Sequence, residues 1–244
     1  LQAKDAIWGA MHDADLVISL GYGLVEYHPR HWNPEGDKPI VHIDLLHAEV
    51  DEHYNVDVEV VGDLAHTLWM LNRRAERDRP RFDVSHLPRV REQRLAELAE
   101  YKDDDSTGVI KPQKVLWDVR EFMGPDDIVI SDVGAHKMWV ARNYHCDEPN
   151  TCIISNGFCS MGFALPGAIG AKLAHPDRSV LAICGDGGFM MNVQELETAT
   201  RVGANIVIMI WEDKEYGLIT WKQHDRYGRH TNLSFDNPDF VRLA

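Results

Sequence analysis

Two apolar segments of this chain end in aspartate, and this arrangement restricts its fold more than any other feature. Residues 179–184 are almost entirely apolar and run directly into Gly-Asp-Gly-Gly, in which Asp186 is the acidic residue. Residues 206–210 form a second apolar run, and Asp213 follows it, 27 positions after Asp186. Because ligands bind at the carboxyl ends of the strands in a parallel α/β sheet, we expect the two carboxylates to share one edge of such a sheet.

Carboxylates and glycines in this arrangement predict a metal-bound diphosphate. Two aspartate oxygens and a loop carbonyl supply half of the six-oxygen shell of Mg²⁺, which prefers phosphate and water for the remainder. Gly185, Gly187 and Gly188 allow the backbone to approach a phosphate, and the positive end of a following helix favours one. We expect that helix to begin near Asn192, which has Glu195 three positions later. A tight turn with a solvated aspartate is the simpler alternative, and the second strand-end aspartate argues against it.

The remaining sequence predicts an α/β fold with two doubly wound parallel sheets, because apolar strand patterns alternate with helical ones. We assign residues 1–75 to a first domain, 76–108 to a charged linker and 109–244 to a second domain. The predicted strands are residues 16–20, 39–44, 56–61, 127–131, 151–155, 179–184 and 206–210. The predicted helices are residues 64–71, 88–101, 115–123, 162–174 and 192–203.

Composition excludes several classes of protein. The 244 residues include 25 Lys and Arg against 39 Asp and Glu, a formal charge of −14, which argues against nucleic acid as the main partner. The longest uncharged stretch, residues 150–171, contains polar residues, a proline and four glycines, so we expect buried strand and helix there instead of a membrane span. The four cysteines form no Cys-x-x-Cys pair. We therefore expect reduced thiols in a cytoplasmic protein.

Both ends of the sequence interrupt a structural pattern. The first residue is Leu1, which lies in an amphipathic pattern, and residues 239–244 begin a new helical one. We therefore expect this chain to be part of a longer one.

The chain resembles a known family through several of these motifs. Gly-Asp-Gly followed after about 27 residues by Asn or Asp is similar to the thiamine-diphosphate signature of the pyruvate-oxidase and acetolactate-synthase group. Residues 131–136 (Ser-Asp-Val-Gly-Ala-His) and 155–166 are similar to segments of that family that contact the diphosphate and the pyrimidine. Residues 13–71 resemble the second half of its central domain.

Details within these motifs indicate a subgroup. The segments 21–27, 32–33 and 42–44 resemble catabolic, flavin-independent acetolactate synthases. Asp213 stands where most relatives have Asn, and the catabolic acetolactate synthases likewise have Asp at this position. Cys159 stands where many relatives have Gly or Gln.

The resemblance implies specific roles. Asp186 and Asp213 would bind Mg²⁺ through their side chains and Glu215 through its carbonyl group, while Met161 would bend the cofactor. The diphosphate would contact Gly134, Ala135, His136, Gly187 and Gly188. The full set of predicted cofactor-binding residues is Gly134, Ala135, His136, Cys159, Met161, Gly185, Asp186, Gly187, Gly188, Asp213, Glu215, Tyr216 and Gly217.

Structural alternatives stay open for individual residues in this set. His136 alternatively contributes only its backbone, and Met161 alternatively belongs to an ordinary core. Tyr216 and Trp221 either line a substrate pocket or simply pack.

The implied activity is the thiamine-diphosphate- and Mg²⁺-dependent condensation of two pyruvates to 2-acetolactate and CO₂. The implied assembly is a homodimer or homotetramer acting on small 2-keto acids, without flavin, nucleic acid or membrane. In this family an N-terminal domain supplies the glutamate that activates the cofactor, and residues 1–244 contain no counterpart in the expected context. Glyoxylate carboligase and sulfoacetaldehyde acetyltransferase chemistry are alternatives that use the same cofactor.

Two alternatives of a different class remain. Gly21-Tyr22-Gly23 with Asp44 about 20 residues later imitates a dinucleotide-binding fingerprint, but Glu26 occupies the position of the third glycine. A non-catalytic relative of the family is the other alternative, and the intact set of Asp186, Asp213 and Met161 argues against it.

Overall fold

The computed structural model describes residues 7–24, 27–105 and 108–244. The chain forms two compact units, Leu1–Glu97 and Leu98–Ala244, and each is described by itself below. The segment that imitates a dinucleotide-binding fingerprint lies partly outside the described residues, since Glu26 is not among them.

The first unit contains a parallel sheet of three described strands. Strands β1 (Val17–Leu20), β2 (Ile40–Asp44) and β3 (Val58–Val61) lie in the order β1-β2-β3. All three were predicted from their apolar runs, and the parallel pairing confirms the predicted sheet type. The helices α1 (Ile7–Asp13) and α2 (Leu64–Asp78) lie in this unit, with a short 3₁₀ turn at Pro29–His31. Helix α3 (Leu87–Ala99) begins in it and continues two residues past its boundary at Glu97.

Helix α2 continues seven residues beyond its predicted end at Leu71, to Asp78. Its last turns are charged and exposed, which in the sequence is typical of a linker. The structure shows a solvated helical surface instead, on which Arg74 donates to Asp78 four positions later at 3.1 Å. The end of α2 and the whole of α3 thus lie within residues 76–108, the segment that we predict to be a linker.

The second unit contains a parallel sheet of four described strands, which positions the site. Strands β4 (Ile128–Ser131), β5 (Cys152–Ile154), β6 (Val180–Gly185) and β7 (Val207–Trp211) lie in the order β5-β4-β6-β7. The carboxyl ends of β4, β6 and β7 are therefore adjacent. The helices are α4 (Pro112–Phe122), α5 (Ala135–Asn143), α6 (Ala164–Ala174), α7 (Asp186–Met191), α8 (Glu195–Val202), α9 (Gly217–Tyr227) and α10 (Phe240–Leu243).

Apolar side chains cover both faces of this second sheet. Along β6, Ala182 and Cys184 pack into a cluster with α6 residues such as Leu165. The alternate residues of the same strand, including Ile183, pack with Leu116 of α4. Because successive side chains of a strand point to opposite faces, a strand that is buried on both faces reads as a continuous apolar run. The prediction of a doubly wound α/β unit is confirmed.

The start of the helix after β6 differs from the prediction. We expected a glycine loop up to Asn192, whereas α7 begins at Asp186, so that Gly187 and Gly188 lie in its first turn. The signal at Asn192 and Glu195 does mark a helix, because α8 begins at Glu195 and Gly203 ends it in the left-handed conformation at φ 68°. The Asn192 amide donates instead to the carbonyl of Gly162 at 2.7 Å.

All four cysteines are free thiols. A search of the described helices finds none with the length and apolar character needed to cross a membrane.

Candidate active site

A cavity of about 420 Å³ lies at the carboxyl edge of β4, β6 and β7 in the second unit. Every residue that we predict to bind the cofactor or the metal contributes to its lining. These residues are Gly134, Ala135, His136, Cys159, Met161, Gly185, Asp186, Gly187, Gly188, Asp213, Glu215, Tyr216 and Gly217. The geometry brings the set together, and the role of each member stays a prediction.

Asp186 is the most heavily bonded side chain of the cavity, although it is only 2% exposed. Its Oδ2 accepts hydrogen bonds from the backbone N–H groups of Lys214 at 2.7 Å and Asp213 at 3.3 Å. The same oxygen accepts a bond from the Asn237 side chain at 2.7 Å. Its Oδ1 accepts a bond from the backbone N–H of Gly187 at 2.8 Å. The strand-end carboxylate of β6 therefore organises the loop that follows β7.

Asp213 lies in that loop, on the exposed side of the cavity. Its Oδ1 accepts a bond from the Glu215 backbone N–H at 3.3 Å. Partial burial raises the pKa of the Asp213 carboxyl, and the negative charges of Asp186 and Glu215 raise it further. The negative charges of Asp213, Asp186 and Glu215 repel one another, so a cation bound between these carboxylates would be stabilised. Among the described residues no three Asp, Glu, His or Cys side chains converge on one metal position.

The glycines of the cavity stand where a side chain would collide with a neighbour. A Cβ atom on Gly188 would lie 2.4 Å from Oδ2 of Asp132, and one on Gly187 would lie 2.9 Å from the ring of Tyr216. A Cβ atom on Gly217 would lie 2.9 Å from Oδ2 of Asp213. The glycines thus allow these side chains to pack directly against the backbone at the carboxyl edge of the sheet.

His136 is buried with an unpaired ring nitrogen. The side chain is 6% exposed, and within the described residues its Nε2 has no hydrogen-bond partner. Burial lowers the pKa of the imidazole to about 4, so the ring is neutral at physiological pH. The ring lies 6.4 Å from that of Trp211, whose Nε1 also lacks a partner there. Both residues line the cavity, and a bound polar group would satisfy these atoms.

Asp132 supports the site from behind the cavity lining; the sequence analysis included it only within the segment 131–136 and gave it no role of its own. This carboxylate at the end of β4 is fully buried and accepts bonds from the backbone N–H groups of Val133 at 2.8 Å, Gly162 at 3.0 Å and Phe163 at 3.2 Å. Burial raises the pKa of this carboxyl group. Its bonds fix the turn that immediately follows Met161. The sequence feature that could have identified Asp132 is its position directly after the predicted strand at residues 127–131, which makes it a third strand-end aspartate.

Cys159 lies at the exposed edge of the cavity. Its backbone adopts a left-handed conformation at φ 56°, and its Sγ donates to the carbonyl of Asn156 at 3.0 Å. The ammonium group of Lys137 lies 3.4 Å from Sγ and also donates to the Ser155 carbonyl at 3.1 Å. Helix α5 thereby holds both ends of the segment that precedes Met161.

Further aromatic and aliphatic residues complete the walls. Trp221 lines the cavity, as one of the two interpretations from the sequence expected. The lining residues that the sequence analysis did not identify are Val133, Trp139, Trp211, Glu212, Leu218 and Ile219. The donor set as a whole fits a divalent cation with a diphosphate, because it combines hard carboxylate oxygens, bare glycine backbone and unpaired ring nitrogens.

Two sequence families match this chain. Residues 132–244 match "Thiamine pyrophosphate enzyme, C-terminal TPP binding domain". Residues 1–71 match "Thiamine pyrophosphate enzyme, central domain". The chain therefore belongs to the thiamine pyrophosphate enzymes, thiamine pyrophosphate being another name for thiamine diphosphate.

Three curated relatives of the chain are named acetolactate synthases. It is 34% identical over 96% of its length to an acetolactate synthase of Bacillus subtilis and covers 41% of that protein. It is 36% identical over 100% of its length to a catabolic acetolactate synthase of Raoultella terrigena and covers 43% of it. An acetolactate synthase large subunit of Haemophilus influenzae is 32% identical over 96% of the chain. The chain thus spans less than half the length of these relatives.

Proposed function

We propose that the complete protein containing this chain is a thiamine-diphosphate- and Mg²⁺-dependent carboligase that condenses two pyruvates to 2-acetolactate and CO₂. The observation that carries this proposal is the pairing of Asp186 and Asp213 at adjacent strand ends of one cavity. The names of the relatives support the choice of reaction.

The charge of the cavity supports a metal-dependent cofactor. Four carboxylates line it, those of Asp186, Glu212, Asp213 and Glu215, and the lining contains no Lys or Arg among the described residues. A diphosphate entering this field without a cation would be repelled, because Coulomb repulsion is strong where water is excluded. Mg²⁺ held by Asp186, Asp213 and the Glu215 carbonyl would reverse the sign of that interaction.

The other residues have roles that follow from their placement. The bare backbone of Gly187 and Gly188 would let the diphosphate approach closely. Because the other ring nitrogen bonds to the Asp132 backbone, the neutral His136 ring would accept a hydrogen bond at Nε2 without adding charge. Met161 would support the cofactor in its bent form. When bound, thiamine diphosphate supplies an electron sink for the carbon that loses CO₂. The tryptophans of the wall would shield that carbon from water.

We also propose that the cavity is completed by other parts of the enzyme in a homodimer or homotetramer. Large apolar side chains remain exposed in the segments that line the cavity or adjoin them, with Phe158 94%, Trp221 51% and Ile219 44% exposed. Exposed apolar surface of this kind is typical of an interface. The free thiols favour a reducing compartment such as the cytoplasm.

A second candidate function follows from Cys159. This thiol lines the cavity, where it would contact the acceptor substrate and influence which acceptor is used. Another 2-keto acid decarboxylase or carboligase of the same cofactor class, such as a glyoxylate carboligase or a sulfoacetaldehyde acetyltransferase, is the alternative.

Product analysis of the complete protein tests the proposal. With pyruvate, thiamine diphosphate and Mg²⁺, we expect 2-acetolactate and CO₂ in a 1:1 ratio. The Asp186→Ala variant should be inactive, whereas Asp225→Ala, an exposed aspartate of α9, should retain activity. CO₂ with acetaldehyde, or a product only with another acceptor, would favour the alternative. Full activity of Asp186→Ala would contradict the assignment of the metal site.

A further inference from the structure

Asn237 contacts the proposed metal site from a distant part of the sequence. It lies 51 positions after Asp186, and its Nδ2 donates to Oδ2 of Asp186 at 2.7 Å. The same nitrogen lies 3.2 Å from Oε1 of Glu212, which lines the cavity. One neutral amide group thus joins two of the cavity's carboxylates.

The backbone fixes Asn237 in this position. The segment that contains it runs antiparallel to the loop that follows β7, with Glu215 and Ser234 paired as an isolated bridge. The N–H of Phe235 donates to the Lys214 carbonyl at 2.9 Å. The ring of Phe235 also packs against Tyr216, with 5.0 Å between the ring centroids. The amide of Asn237 is therefore held against Asp186 by several contacts of the segment and not by its own bond alone.

The two carboxylate oxygens of Asp186 accept different numbers of hydrogen bonds. Oδ2 accepts from three donors: the backbone of Asp213, the backbone of Lys214 and the Asn237 amide. Oδ1 accepts one bond, from Gly187. A carboxylate oxygen has about two lone-pair sites, so Oδ2 is saturated and Oδ1 keeps the free capacity.

We infer that Asn237 is a positioning residue of the metal site. It acts through Asp186, by adding a side-chain donor to the two backbone donors on Oδ2 and so fixing the carboxylate with Oδ1 left for the cation. It also holds Glu212 near Asp186 without adding a charge. The inference rests on the proposed function, since it assumes that this site binds a divalent cation together with thiamine diphosphate. Loss of such an outer partner typically weakens metal binding 10- to 100-fold.

Direct titration of the complete protein with Mn²⁺ tests the inference without an activity assay. Free Mn²⁺ is measured by electron paramagnetic resonance in the presence of saturating thiamine diphosphate. We expect Asn237→Ala to raise the Mn²⁺ dissociation constant about 10-fold or more. Asn237→Asp, which is nearly isosteric but cannot donate, should also weaken binding. The matched control is Asn205→Ala, an exposed asparagine outside the cavity, which should leave binding unchanged.

The outcomes separate the inference from the function on which it rests. If wild-type protein binds no Mn²⁺, the proposed function and this inference both fail. If wild type binds and Asn237→Ala binds equally well, or Asn237→Asp binds more tightly than wild type, the positioning role is overturned. Circular dichroism and the urea midpoint serve as folding controls. Because Asn237 is partly exposed, we expect both variants to fold, and weaker Mn²⁺ binding with an unchanged midpoint supports the inference.

Discussion

Replacing Gly188 by alanine should destabilise the second unit, because the added methyl group has no space. Its Cβ would lie 2.4 Å from Oδ2 and 3.1 Å from Cγ of Asp132. Asp132 cannot move aside, since it is fully buried and accepts bonds from the backbone of Val133, Gly162 and Phe163. Either α7 shifts away from β4, or at least one of these bonds is lost.

The expected cost follows from both effects. Overpacking a filled interior costs about 1–3 kcal/mol, and a lost hydrogen bond to a charged acceptor costs about 1.5–3 kcal/mol. The higher helix propensity of alanine returns about 1 kcal/mol, since Gly188 lies within a helix. We therefore expect Gly188→Ala to lower the free energy of unfolding by about 3 kcal/mol.

Urea unfolding followed by circular dichroism measures this change, and Gly170→Ala is the matched control. Gly170 lies within α6, and a Cβ atom there would meet no atom within 4 Å. The same substitution should therefore stabilise that site by about 0.5–1 kcal/mol. If Gly188→Ala unfolds at the wild-type midpoint or above it, our reasoning about the Asp132 contact is wrong.

Three other predictions concern buried groups. Because burial lowers the pKa of His136 to about 4 from 6.5, the unfolded chain binds the extra proton first, and stability falls as the pH drops from 6.5 towards 4. His136→Phe should remove about 3 kcal/mol of that decline, and equal pH profiles of unfolding free energy would contradict it. Arg120→Met should lower the free energy of unfolding by about 2 kcal/mol, because the guanidinium donates to two carbonyl groups after α4. Urea unfolding measures this change, and an unchanged midpoint would refute it. Burial raises the pKa of Cys184 to about 12, so iodoacetamide should label exposed Cys146 but not Cys184 in peptide maps of native protein; equal labelling would contradict its burial.

Much of the second unit could be predicted from its sequence because its central strands, β4 and β6, are buried on both faces. Ile128–Ser131 and Val180–Gly185 form largely apolar runs that are followed directly by Asp132 and Asp186. Parallel pairing then brings the residues after each strand to one edge, which is why Asp186 and Asp213 were expected together. The structure agrees with that expectation.

Other features could not be predicted because they depend on tertiary contacts. Glycines favour loops by intrinsic propensity, so the start of α7 at Asp186 was missed. Nothing local in the sequence indicates that Asp132 accepts bonds from residues 30 positions away. The approach of Asn237 to the site depends on a short segment in which only two apolar residues, Leu233 and Phe235, alternate with polar ones. The charged end of α2 resembles a linker because solvated helix and linker share a composition.

The central claim is that this cavity binds thiamine diphosphate through a divalent cation held by two strand-end aspartates. Isothermal titration calorimetry of the complete protein with thiamine diphosphate, with and without Mg²⁺, tests it most directly. We predict saturable binding with Mg²⁺, no measurable binding in the presence of a chelator, and none to Asp186→Ala under either condition. Equal affinity with and without the cation, or unchanged affinity of Asp186→Ala, would contradict the claim.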